Sequence, residues 1–295
     1  MSAPAARTIP LAAYSGEPGA FAEDAVRACF GDVATLPVGG FREVFEAVDA
    51  GTALAGVVPI ENLVNGTVRE NYDLLLEHAL AIRGEVVVPV RLCLAALPGE
   101  RLEAIERVYS HIQALGQADR FLRTRPWTLL TTYNTAGAGK AIVDRREGRA
   151  AAVLSPRAAA LFGLQVLADG IESVPDNRTR FLVVARPETA LPPIRPEATA
   201  AAPDGGPVPM RTTLVISVRN EPGTLLRCLR VFAEAGLNMS KIESRPSRER
   251  PWEYVFWVDL DADADAAPTR AALAALERVA QAVRVLGSYP RAAGG

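Results

Sequence analysis

The segment Asn177-Arg178-Thr179-Arg180-Phe181 sets an amide, a hydroxyl and two guanidinium groups directly before an apolar run, Leu182-Val183-Val184. The run reads as a buried strand, which puts the polar cluster at a strand mouth. These groups suit binding a small anion and giving it a hydrogen bond or a proton; the same composition also describes a loop with solvated arginines. Other joints repeat the pattern. Val57-Val58-Pro59-Ile60 runs into Glu61 and Asn62, with Gly66 and Thr67 ahead of a helix. Ser110 closes a strand and reads as the N-cap of the next helix, and Gln117 follows two turns on, on roughly the same face. Asn134-Thr135-Ala136-Gly137-Ala138-Gly139 opens another helix with residues small enough for close ligand approach, and Tyr14 to Gly19 supplies a further loop. Joints of this kind expose backbone N–H groups at helix N-termini, which attract carboxylate or phosphate. Each residue also has a purely structural alternative: a loop-capping amide for Asn62, a loop anchor for Glu61, a simple cap for Ser110.

The remaining chemistry narrows by elimination. Gly137-Ala138-Gly139 lacks the third glycine and downstream acid of a dinucleotide site. His111 has no recognisable serine and aspartate partners. Cys29, Cys93 and Cys228 are far apart, and with only two histidines a zinc site is not expected. A net charge of -2 gives no general drive toward nucleic acid or acidic membranes. No apolar run reaches the roughly 20 residues of a membrane span, and Met1–Pro10 lacks a secretory pattern. The expectation is a soluble, cytoplasmic protein that uses no cofactor and holds a small polyanion.

The elements that must position these residues alternate in type. Strands are expected at Ile9–Tyr14, Leu54–Pro59, Val86–Ala95, Arg107–Ser110, Thr128–Thr131 and Ala151–Leu154. Helices are expected at Gly19–Phe30, Phe41–Ala50, Val68–His78, Ile112–Arg123, Thr135–Arg145 and Pro156–Phe162. Alternation of this kind predicts α/β layers with largely parallel sheets, where ligands bind beyond the strands' C-terminal ends. A proline-, alanine- and glycine-rich stretch, Arg186–Pro209, reads as a linker. Beyond it, strand Thr212–Arg219, helix Thr224–Ala235, strands Leu237–Ser244 and Glu253–Leu260, helix Thr269–Ala280 and strand Val283–Ser288 spell βαββαβ, the ferredoxin-like order.

Taken together, these motifs resemble the prephenate dehydratases and the similar plant arogenate dehydratases over nearly the whole chain. The resemblance rests on Tyr14 to Phe21, on Gly56 to Asn62 with Asn71-Tyr72-Asp73-Leu74-Leu75, on Ser110-His111-Ile112-Gln113 with Gln117, on Thr135-Ala136, and on Asn177 to Phe181, which matches the family's Asn-x-Thr-Arg-Phe signature. The C-terminal part resembles an ACT domain through Asn220 to Leu225 and Ile242-Glu243-Ser244-Arg245-Pro246. Three residues depart from the family pattern: Leu63 where a Ser or Thr follows the Glu-Asn pair, Ile112 where a proline stands, and Thr224 where the effector loop has alanine.

The resemblance implies a two-lobed, periplasmic-binding-protein-like catalytic part at 8–186, with one lobe at about 8–88 and 174–186 and the other at about 89–173. It implies a linker at 187–209 and an ACT regulatory domain at 210–291. It assigns catalysis to Thr179, Asn62, Ser110 and Gln117, with substrate contacts from Thr135, Glu61, Arg180 and Asn177. Strand alternation qualifies Arg180: if 177–181 is extended, it points away from Thr179 and holds the loop from behind, whereas a turn there would bring both residues into the cleft. L-Phenylalanine is the implied effector, at Gly223, Leu225, Glu243, Ser244, Arg245 and Pro246, and a homodimer or homotetramer the implied assembly. The implied reaction is dehydration and decarboxylation of prephenate to phenylpyruvate. Arogenate as substrate and a non-catalytic amino-acid sensor are the rival readings; a chorismate mutase is not expected, because no helical domain precedes the first strand.

Overall fold

The computed structural model describes residues 10–201, 206–246 and 254–294. It falls into two compact units, Met1–Ala79 with Val86–Arg195, and Leu80–Glu85 with Pro196–Gly295.

In the first unit the chain runs β1 (Ala12–Ser15), α1 (Phe21–Phe30), β2 (Thr35–Val38), α2 (Phe41–Asp49), β3 (Ala55–Asn62), β4 (Gly66–Thr67), α3 (Arg69–Glu77) and β5 (Ala81–Pro89). It continues through β6 (Cys93–Ala96), β7 (Arg107–Ser110), α4 (Ile112–Gln117), α5 (Asp119–Leu122), β8 (Thr128–Thr131), α6 (Thr135–Arg145), β9 (Ala150–Leu154), α7 (Pro156–Leu161), β10 (Gln165–Asp169) and β11 (Arg178–Ala185). Two sheets result: β2-β1-β3-β11-β5, with β4 on β3, and β10-β6-β9-β7-β8. The chain thus crosses to the second sheet after β5 and returns in β11 to pair with β3.

Both sheets are mixed rather than largely parallel. β1 runs parallel to β2 and β3, but β11 is antiparallel to β3. β7 is parallel to β8 and β9, but β6 is antiparallel to β9 and to β10. The returning strand and the antiparallel edge are tertiary pairings, which local alternation does not encode. The period of two is clean in the second sheet. Leu92, Leu94, Val108 and Val153 pack on one face with Leu115 and Leu122; Cys93, Ala95, Ala152 and Leu154 pack on the other with Ala138 and Ile142. Gly139 lets α6 sit this close, since a Cβ there would come within 2.7 Å of Leu154.

Element bounds differ from the expectations in specific places. The expected Val86–Ala95 strand is two strands, β5 and β6, broken by the exposed Arg91. The Ile112–Arg123 helix divides at Ala118 into α4 and α5. β2, β4 and β10 are additional to the expected strands. Ile9, Glu253 and residues 202–205 of the linker lie outside the described residues. The linker stretch also contains a 3-10 turn at Pro196–Ala198 and a bridge from Thr199 to Ala292.

The second unit is β12 (Met210–Ser217), α8 (Thr224–Glu234), β13 (Met239–Pro246), β14 (Tyr254–Leu260), α9 (Ala267–Val279) and β15 (Ala282–Pro290), in the sheet order β13-β14-β12-β15 with antiparallel neighbours. Its core gathers Leu214, Ile216, Cys228, Phe232, Val258 and Leu276. Residues 80–85 join this unit through Glu85, which is fully buried. Both of its carboxylate oxygens accept from Arg211 Nη1, at 2.8 and 2.9 Å, and Oε1 also accepts from the Ala292 N–H at 3.0 Å. A buried carboxylate is tolerated because its partners replace the lost water.

Candidate functional site

Within the first unit a cavity of about 660 Å³ lies where the strand ends of both sheets meet. Five helices start at its wall: α1 at Ala20–Ala22, α2 at Gly39–Phe41, α3 at Val68–Glu70, α4 at His111–Ala114 and α6 at Asn134–Ala136. The orphan N–H groups and partial positive charge at such ends favour negative charge between them. The N-cap residues of α1, α2 and α3, namely Ala20, Gly40 and Val68, make no side-chain capping bond. The Asn134 side chain caps α6 by accepting from Gly137 N. Gly137 must be glycine here, since a Cβ would come within 2.6 Å of the Tyr133 ring that walls the cavity.

The pairing of β11 with β3 sets Thr179 opposite Asn62 at the cavity wall. Both are nearly buried, at 9% and 7% exposure. Asn62 Oδ1 accepts from Val64 N at 3.0 Å and Asn65 N at 2.9 Å, which fixes the amide orientation. Nδ2 therefore donates, to the Arg178 carbonyl at 3.1 Å and to Thr179 Oγ1 at 2.9 Å. Thr179 Oγ1 is an acceptor in that bond. Among the described residues no acceptor takes its own proton. Charged residues lining the cavity are the exposed Arg69 and Glu70. His111 also lines it, and burial holds its imidazole below the ordinary value. At the rim, Glu17 accepts from the Tyr133 hydroxyl at 2.9 Å and from Lys140 Nζ at 3.1 Å.

The structure brings Asn62, Gln117, Thr135 and Thr179 together around this cavity. It does not bring Ser110, Glu61, Arg180 or Asn177 to its wall. Ser110 is not the expected N-cap. It is fully buried at the end of β7, and its hydroxyl donates to the Val153 carbonyl at 2.6 Å. The cap of α4 is His111, one residue later, whose Nδ1 accepts from Gln113 N. Arg180 and Glu61 face each other across the β11–β3 ladder, 3.9 Å apart. Asn177 is 2% exposed; neither of its side-chain polar atoms finds a hydrogen-bond partner among the described residues.

Sequence reasoning passed over Gly39-Gly40 and Tyr133, and took Gln113 only as part of a motif and Phe41 only as a helix residue; all of them line the cavity. A Gly-Gly pair ahead of an amphipathic helix was the available signal for the first. Leu63 and Ile112, two departures from the family pattern, point outward at 70% and 61% exposure. In the second unit Gly223 takes φ +80 at the start of α8, and Glu243–Pro246 lie on the edge strand β13. Thr224 turns inward, its hydroxyl within reach of the Arg219 and Glu221 carbonyls at 2.7 and 2.9 Å.

Residues 12–189 match the prephenate dehydratase family model and residues 212–278 the ACT domain model. The chain belongs to the prephenate dehydratase family. It is 38% identical to arogenate dehydratase 5, chloroplastic, of Arabidopsis thaliana, over 94% of this chain and 67% of that one. It is 39% identical to the same plant's arogenate dehydratase/prephenate dehydratase 2, chloroplastic, over 94% of this chain and 72% of that one. Among solved structures, prephenate dehydratase from Arthrobacter aurescens in complex with L-Phe is 34% identical, with a TM-score of 0.83 over 95% of this chain and 90% of that one. GqqA, described as a novel type of quorum quenching acylase, is 31% identical, with a TM-score of 0.82 over 95% of this chain and 98% of that one. The family fold is two-lobed and periplasmic-binding-protein-like, with a C-terminal ACT domain.

Proposed function

We propose that this protein converts prephenate to phenylpyruvate, carbon dioxide and water. The observation that carries this reading is the Asn62–Thr179 bond: with Asn62 donating, the Thr179 hydroxyl keeps its proton for a group in the cavity. Prephenate carries two carboxylates and a ring hydroxyl. Cleavage of the ring carbon–carboxylate bond releases carbon dioxide, its electron pair aromatises the ring, and the ring hydroxyl leaves as hydroxide, which takes a proton to become water. Thr179 donates a hydrogen bond to the departing oxygen. A threonine hydroxyl is a poor acid near neutral pH, so stabilisation in a dry site outweighs full proton transfer. Gln117, Thr135 and the converging helix starts hold the carboxylates and the ring.

Acyl transfer is less favoured by the same geometry. A nucleophilic Thr179 needs a base to take its proton, and no described side chain accepts from it. Arogenate remains the closest rival, supported by the names of the plant relatives. Steady-state turnover of the two substrates by the same preparation separates them: higher kcat/KM for prephenate supports the proposal, and higher kcat/KM for arogenate replaces it.

For regulation, the ACT domain and the L-Phe-bound relative support phenylalanine as an allosteric inhibitor, acting through a difference in its affinity for two conformations of the catalytic part. Its contacts would come from Gly223, Leu225 and Glu243–Pro246, in a homodimer or homotetramer. Buried free thiols at Cys29, Cys93 and Cys228 fit a reducing compartment such as the cytoplasm.

A further inference from the structure

The start of α1 forms part of the cavity wall, yet its first turn carries two carboxylates, Glu23 and Asp24. Negative charge in a first turn opposes the positive helix end and repels an anion beside it. Both carboxylates are drawn to one residue from the other sheet's side. Arg157, in the first turn of α7, donates from Nη2 to Glu23 Oε2 at 2.7 Å and pairs through Nε with Asp24. Glu23 Oε2 also accepts from Gly19 N at 2.7 Å, and Arg27 Nη2 reaches Glu23 Oε1 at 3.2 Å. Gly19 is itself held against α7: Ser155 Oγ bonds its carbonyl at 3.0 Å, and a Cβ at Gly19 would come within 2.7 Å of Ala158. Burial alone would raise the Glu23 carboxyl, but the Arg157 and Gly19 hydrogen bonds outweigh it and hold it below the ordinary value. Glu23 is therefore fully ionised at neutral pH, and its charge is cancelled only by the surrounding arginines.

We propose that Arg157 is a positioning residue for the anionic substrate: it fixes the start of α1 against α7 and cancels the two carboxylates that would otherwise make this part of the cavity wall acidic. Glu23, Asp24, Arg27 and Arg157 together carry no net charge; Arg27 also pairs at 2.7 Å with Asp32, which is exposed and screened by solvent. Without Arg157 the group is negative by one charge, about one helical turn behind residues that face the substrate. The role rests on the dehydratase reading, in which the ligand is a dianion.

Kinetics with prephenate at low ionic strength test this. Arg157→Met should raise KM roughly three- to tenfold with kcat little changed, and added salt should shrink the effect by screening. The double variant Arg157→Met with Asp24→Asn removes the excess charge but not the missing contact, so KM should return close to the parent value. Asp24→Asn alone leaves Arg157 with one carboxylate and should lower KM; this arm decides the matter even if Arg157→Met fails to fold. An unchanged KM in Asp24→Asn, or a double variant as impaired as a folded Arg157→Met, overturns the charge role. A parent protein that does not turn over prephenate overturns the dehydratase reading itself, which an active parent with these failures would leave standing.

Discussion

Replacing Asn62 by aspartate tests the hydrogen-bond direction on which the mechanism depends. The substitution keeps the size of the side chain and keeps an oxygen for the Val64 and Asn65 N–H groups, so the turn after β3 is retained. It replaces the one atom that donates. The Arg178 carbonyl, at 3.1 Å, loses one of its two donors, keeps the Leu63 N–H at 3.0 Å, and faces a carboxylate oxygen instead. Thr179 Oγ1, at 2.9 Å, now faces an acceptor and turns its proton toward the new carboxylate, away from the cavity. One lost hydrogen bond at roughly 1 kcal/mol, plus a carboxylate oxygen set against a carbonyl in a nearly buried site at about 1–2, gives a stability loss of about 2–3 kcal/mol. Losing the hydrogen bond to the leaving oxygen costs kcat on the order of 100- to 1000-fold. Phenylpyruvate formation at saturating prephenate measures the rate, and chemical denaturation measures the stability. A folded Asn62→Asp variant with kcat within about threefold of the parent would refute the reasoning, because Thr179 would then not need its donor.

Two further outcomes follow from the placements. Ser110→Ala removes a buried hydroxyl that bonds Val153 rather than lining the cavity, so it should lower stability by about 1–2 kcal/mol and leave KM for prephenate nearly unchanged, as denaturation and initial rates will show. His111 carries a pH dependence. Burial holds its folded pKa below the ordinary 6.5, so the folded state binds this proton less tightly than the unfolded chain does. Its contribution is complete above about pH 6.5 and is lost as pH falls from there through the depressed folded value. Protonation also removes the acceptor that caps α4. Asn also caps well and does not titrate, so in thermal unfolding the parent should lose stability relative to His111→Asn as pH falls across this range.

Much of this site is legible locally, and the reasons are specific. β7 and α6 read at their observed bounds because a strand of alternating burial and an Asn-capped run of small residues are strong local signals. The opposite orientations of Thr179 and Arg180 follow from the period of two along β11. What is not legible depends on neighbours. Ser110 and His111 exchange roles through one residue: β7 continues through Ser110, whose side chain then points into the sheet, and the first residue past the strand becomes the cap. β2 is four residues long with Pro37 inside it, and β10 is a five-residue edge strand, partly exposed, whose Val166-Leu167-Ala168 run does not alternate with polar residues. β5 starts earlier than its apolar run because Arg83, Gly84 and Glu85 interrupt the pattern, and Glu85 is buried only because Arg211 meets it from far along the chain. The antiparallel return of β11 onto β3, which joins Thr179 to Asn62, is a contact across 117 residues that no local window contains; the family resemblance, which puts 174–186 in one lobe with 8–88, supplies the return but not its register or direction.

The central claim is that the Thr179 hydroxyl assists departure of the ring hydroxyl from prephenate. Turnover by a Thr179→Ala variant tests it most directly, with circular dichroism and thermal unfolding to establish that the fold is kept. The account predicts a folded protein that still binds prephenate but loses phenylpyruvate formation by roughly 100-fold or more. Near-parental kcat in that folded variant would contradict it.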